Sequence, residues 1–142
     1  MEAQLERKIE FASSIENVTL VEKLIEDIKE FHPVSEDVYG NMLVAVTEAV
    51  NNAIYHGNKL NADKKVHLQY ESKDDQIVFV ITDEGTGFDQ YSLPDPTAPE
   101  NIEKPNGRGI FLMKHLSDQI IFSNDGRTVE LCFKLSETPA EG

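Results

Sequence analysis

The chain has 142 residues, with 13 Lys plus Arg against 26 Asp plus Glu and a net charge of −13. That balance argues against the basic face needed to hold nucleic acid or an anionic membrane, and 39% hydrophobic with 27% charged residues is the composition of a globular domain. The single cysteine, Cys132, rules out a disulfide framework or a Cys-based zinc site; Met1–Glu10 has no apolar core of a signal peptide and no run reaches transmembrane length, so the cytoplasm is the expected location.

Leu5 to Phe11 reads as a short strand with Leu5, Arg7, Ile9 and Phe11 on one face. Ser13 and Glu16 have capping-box spacing ahead of Val18, Val21, Leu24, Ile25, Ile28 and Phe31, an amphipathic helix that ends at Pro33. Ser35 opens a second helix with Met42, Leu43, Val46, Ala49, Val50, Ala53 and Ile54 as its apolar stripe, and Gly57 offers a C′ stop. Val66, Leu68 and Tyr70 alternate with polar residues, and Gln76 to Thr82 is almost wholly apolar, which predicts an antiparallel hairpin with a buried second strand. Gly85 to Gly109 then carries Pro94, Pro96, Pro99 and Pro105 and few hydrophobics; a binding loop or lid explains so long an irregular stretch, and disorder is the alternative. Ile110 to Leu116 is helical in pattern, and Gln119 to Ser123 with Thr128 to Leu135 forms a second hairpin around Asn124-Asp125-Gly126. Residues 137–142 read as a frayed tail. The order predicts one domain over residues 1–142, an α+β two-layer sandwich in which a mixed sheet is covered on one face by helices.

Three places in this pattern carry chemistry. Glu48 and Asn52 stand i, i+4 apart among Ala45, Val46, Ala49, Val50 and Ala53, with His56 one turn on. A carboxylate beside such small apolar neighbours is costly to bury without a partner, and a hard cation with oxygen ligands is one such partner. A solvated helix face that happens to hold alanines is the other explanation. Asp83-Glu84-Gly85-Thr86-Gly87 follows a buried strand; a strand-end carboxylate and Gly-x-Gly let a planar ligand approach the backbone and donate an exocyclic amino hydrogen, although a tight turn has the same signature. Asn106-Gly107-Arg108-Gly109 leads into a helix, where exposed amides and the helix dipole favour an anion, with Arg108 and Lys104 adding positive charge. It lacks the Walker pattern, and a plain flexible lead-in would look similar.

Taken together, Glu48-x-x-x-Asn52, Asp83-x-Gly85-x-Gly87 and Gly107-x-Gly109 resemble, in chain order, the N, G1 and G2 boxes of the GHKL (Bergerat-fold) ATPases, among them gyrase B, Hsp90, histidine kinases and MutL. The strings Thr47 to Gly57 and Gly107 to Met113 are similar to the bacterial anti-sigma-factor serine kinases, the RsbW-like branch, over about Leu5 to Leu135. No dimerisation helix with a phospho-accepting His precedes Ser35, as a histidine kinase would need.

This resemblance implies the Bergerat ATP-binding fold and two ligands, ATP and Mg²⁺. It implies Glu48 as general base, Asn52 as Mg²⁺ ligand, Asp83 on the adenine amino group, and Gly85 and Gly87 as the adenine–ribose wall. Lys104, Gly107, Arg108 and Gly109 would hold phosphates, residues 88–106 would form an ATP lid, and Thr128 would back the adenine. The implied reaction transfers the ATP γ-phosphoryl to a serine of a STAS-domain anti-anti-sigma protein. A sigma factor and a homodimer are the other implied partners, and a nucleotide-holding partner switch without turnover is the alternative function. Cys132, between Leu131 and Phe133, reads as a packing residue, and His67 and His115 have no ligand spacing.

Overall fold

A computed structural model describes residues 6–31, 34–73, 75–85 and 105–135. The elements run β1 (Glu6–Ala12), α1 (Val18–Phe31), α2 (Glu36–Asn52), β2 (Lys65–Lys73), β3 (Gln76–Thr82), α3 (Pro105–Leu116), β4 (Gln119–Ser123) and β5 (Thr128–Lys134). The strands form one five-stranded sheet in the order β1-β2-β3-β5-β4. The α+β two-layer class holds, but the sheet is antiparallel in all four pairings rather than mixed. The reason is topological. Two helices separate β1 from β2, so the chain returns in the opposite sense. β3 and β4 each pair antiparallel with β5, which lies between them, so they run parallel without touching; among the described residues the helix α3 stands between them in the chain.

Alternation along the strands sets one face inward. Val66, Leu68 and Tyr70 on β2, Ile77, Phe79 and Ile81 on β3, and Val129, Leu131 and Phe133 on β5 are buried against the helices. Phe79 sits between Tyr70 and Phe133 with ring centroids 5.9 Å from each. Fully burying a side chain of this kind contributes about 1.5–3 kcal/mol, which is why the pattern fixes the register.

Ser35 caps α2 by accepting the Val38 N–H at 3.1 Å, and Glu36 and Asp37 suit the positive end of the helix dipole. Ser13 and Glu16 do not form a capping box. Ser14 precedes a short 3₁₀ turn, Ile15–Asn17, and Ser13 is buried with its hydroxyl donating to the Lys64 carbonyl at 2.7 Å. Gly57 is not the left-handed stop of α2 either. The helix widens into a π turn over Ala53–Gly57, closed by Asn58 N–H on the Ala53 carbonyl at 2.8 Å, and the left-handed residues are Lys59 and Leu60. Single π turns of this kind are frequent at functional sites. Among the described residues no helix is long and apolar enough to cross a membrane.

Candidate active site

A cavity of about 250 Å³ opens between α2, α3 and the C-terminal end of β3. Ala49, Ala53, Ile81, Ile110, Met113 and Val129 make apolar walls; Asn52, His56, Asp83 and Arg127 place a few polar groups around them. Apolar walls with few, convergent polar atoms suit a flat heteroaromatic ligand.

Asp83 is 8% exposed at the end of β3. Its N–H donates to the Arg127 carbonyl at 2.9 Å, prolonging the β3–β5 ladder by one residue, and its Oδ1 accepts the Gly85 N–H at 2.8 Å. Burial raises its pKa above the ordinary aspartate value; the Gly85 N–H and the Arg127 and Lys64 charges pull the other way. Gly57 and Gly85 are required here by close approach. A Cβ on Gly57 would run into the Asp83 carboxylate, and one on Gly85 would run into the Gly57 carbonyl. The π turn and the strand-end turn are thus locked backbone to backbone.

At the other end, Glu48 and Asn52 lie half-buried one turn apart on α2, against α3. A Cβ on Gly109 would stand 3.0 Å from Glu48 Oε1 and 3.4 Å from Asn52 Oδ1, so the glycine lets the two helices meet where the two polar side chains point. α3 begins at Pro105, five residues before Ile110, so Gly107, Arg108 and Gly109 lie within its opening residues rather than ahead of it. Pro105 suits the first helical position because it has no N–H to leave unpaired. The first backbone N–H groups of α3 still lack intrahelical acceptors.

Of the sequence-derived residues, the structure brings Asn52 and Asp83 to one cavity, Gly85 behind Asp83, and Glu48 beside Gly109. Thr128 is buried next to the cavity wall, its hydroxyl 3.1 Å from Thr82 Oγ1 and accepting from Asn124 Nδ2 at 2.9 Å. Gly87, Lys104, the Arg108 side chain, lid residues 88–104 and tail residues 137–142 lie outside the described residues, and lid residues 105 and 106 belong to α3. Arg127 and Asn58 were not singled out by the sequence. Asn58 sits in Gly57-Asn58-Lys59, which reads as an ordinary turn, and its partners lie far along the chain.

Residues 11–133 match the family described as the histidine kinase-like ATPase domain, and the chain belongs to that family. Its nucleotide is therefore ATP. A relative among characterised proteins is the serine-protein kinase RsbW of Staphylococcus epidermidis, 31% identical over 127 residues, which are 84% of this chain and 80% of the relative. The serine-protein kinase RsbW of Staphylococcus aureus strain JH9 is 28% identical over the same coverage.

The residues present fit a nucleotide with a hard cation. Gly57 and Gly85 keep the approach to Asp83 free of side chains, and Glu48 and Asn52 offer oxygen donors beside Gly109. Mg²⁺ takes few protein oxygens and completes its shell with phosphates and water, and the Asn52 side-chain oxygen and the Glu48 carboxylate are donors of that chemistry.

Proposed function

We propose that this chain is an ATP-dependent protein serine kinase of the anti-sigma-factor type, acting on a serine of a STAS-domain anti-anti-sigma protein and binding a sigma factor in alternation. The observation that carries the reading is Glu48 and Asn52 together beside Gly109, with Asn52 and Asp83 both lining one cavity. A nucleotide bound with adenine at Asp83 has its phosphates directed toward the start of α3. Asp83 Oδ1 is already taken by Gly85, which leaves Oδ2 to accept the adenine amino hydrogen. Asn52 would hold Mg²⁺, and the ion would supply neutralisation of phosphate charge there. The amides at the start of α3 hold phosphate oxygens. Glu48 accepts the proton of the incoming serine hydroxyl as its oxygen bonds to the γ-phosphorus; the bond to the β–γ bridging oxygen breaks and ADP leaves. A holder of nucleotide that performed no transfer would need no general base in this position.

Incubation with γ-labelled ATP, Mg²⁺ and a STAS-domain protein tests the proposal. Label on a partner serine is expected. Tight ATP binding with no transfer to any STAS partner would establish the nucleotide-holding switch instead.

A further inference from the structure

Asn58 is 2% exposed, and every polar atom it has is engaged. Its backbone N–H closes the π turn on the Ala53 carbonyl at 2.8 Å, and its carbonyl accepts the Asn61 N–H at 3.0 Å. Its side-chain Nδ2 donates to Ser13 Oγ at 2.7 Å and to the Lys65 carbonyl at 3.0 Å, and its Oδ1 accepts the Glu84 N–H at 2.8 Å. The orientation of the amide is unambiguous. The Lys65 carbonyl can only accept, the Glu84 N–H can only donate, and Ser13 Oγ already donates to Lys64. A carboxylate of the same shape would set oxygen against oxygen at Lys65.

The Glu84 N–H is the middle one of three. Asp83 N–H is fixed on the Arg127 carbonyl and Gly85 N–H on Asp83 Oδ1, so Asn58 supplies the acceptor that keeps the intervening peptide from turning. That peptide joins the Asp83 Cα to the Glu84 Cα, and the next peptide brings the Gly85 N–H that holds the Asp83 carboxylate. Asn58 also hangs from the turn that follows Asn52, which ties the Asp83 end of the cavity to the helix bearing Glu48 and Asn52.

We propose that Asn58 is a positioning residue that aims the Asp83 carboxylate and thereby sets the selectivity of the site for a 6-aminopurine. The inference rests on the reading of Asp83 as the adenine acceptor. It is tested by the ratio of ATP to inosine triphosphate affinity, since the two differ at the purine 6-position. The ratio is independent of how much of a sample is folded, so a role confined to stability does not move it. The wild type is expected to prefer ATP. Asn58→Ala removes the acceptor for the Glu84 N–H and is expected to shrink that preference by about tenfold, the weakening of one charge-assisted hydrogen bond. Asn58→Ser serves the same purpose should the alanine variant fail to fold. Ser13→Ala removes a partner of Asn58 but keeps its bond to Glu84, and is expected to lower the melting temperature with the ratio unchanged. A wild type that prefers ATP alongside Asn58 variants that keep the full preference would overturn the inference. A wild type with equal affinities would overturn the adenine reading of Asp83 itself.

Discussion

At the Asp83 end of the cavity three consecutive amides have fixed acceptors and two glycine backbones meet without room for a side chain, whereas at the Glu48 end two side chains one turn apart on α2 face the backbone of α3. The first is a template held by the fold. The second is a pair of side-chain tips on a helix whose own packing is completed by Ala45, Val46, Ala49 and Val50. Changes at the template end should therefore disturb stability and nucleotide binding together. Changes at the helix end should remove chemistry and leave the fold standing.

The largest expected effect lies at the helix end. Glu48→Gln keeps side-chain size and removes the proposed base, so single-turnover phosphotransfer should fall by roughly 10²–10⁴ while ATP affinity stays within a few-fold. Transfer at the wild-type rate would show that Glu48 is not the base. Gly85→Ala is the counterpart at the template end. Its Cβ has no space against the Gly57 carbonyl, so the backbone must shift, at about 1–3 kcal/mol of stability, and ATP affinity should fall with it. A denaturant titration and calorimetry on one preparation check both. Gly109→Ala meets the tip of a flexible side chain, Glu48 Oε1, and should fold normally while slowing transfer more than it weakens binding. Should Gly85→Ala and Gly109→Ala behave alike, the contrast between the two ends fails.

Asp83 makes the contrast visible in pH. Its folded pKa is raised above 3.8 by burial, so between that value and the folded pKa the folded state keeps a proton the unfolded state has lost. Its contribution to stability therefore falls as pH rises through that window. On the proposed reading adenine binding runs the opposite way, because the carboxylate would be the acceptor. ATP affinity should weaken as pH falls through the raised pKa. Asp83→Asn should bind adenine nucleotides weakly and lose this pH dependence, measured by calorimetry across the acid range. An unchanged slope in the variant would place the titrating group elsewhere.

Most of this arrangement was legible in the sequence, and what was not has a common cause. The strand alternation in Lys65–Lys73 and the apolar run Gln76–Thr82 predicted the central hairpin because burial on one face or two leaves a period-2 or continuous signature. Glu48 with Asn52, and Asp83 with Gly85, were legible because their spacing is local. Ser13 was misread because a capping box and a buried hydroxyl look alike in sequence; its partner, Lys64, is 51 residues away. Gly57 was read as a helix stop when its reason is Asp83, which β3 delivers to it. The start of α3 was placed late because two glycines and a proline lower helix propensity, and packing against α2 overrides that preference. Asn58 left no local signal, since its role exists only once β1, β2 and the end of β3 are together.

Thr128 gives the smallest effect and the sharpest test of where the template ends. Resemblance places it behind the adenine, yet its hydroxyl is committed to Thr82 and Asn124, and it is Val129 and Arg127 on either side that line the cavity. Thr128 Oγ1 accepts from Asn124 Nδ2, and either hydroxyl of the Thr82–Thr128 pair can donate to the other. Thr128→Val keeps the shape and removes both bonds. Asn124 is exposed and can turn to water, so no buried donor is stranded there. The expected cost is about 0.5–1.5 kcal/mol of stability, with ATP affinity unchanged. A tenfold loss of ATP affinity, about 1.4 kcal/mol, would mean that the threonine hydroxyl reaches the nucleotide once it is bound, and that the template extends one residue further along β5 than the cavity wall suggests.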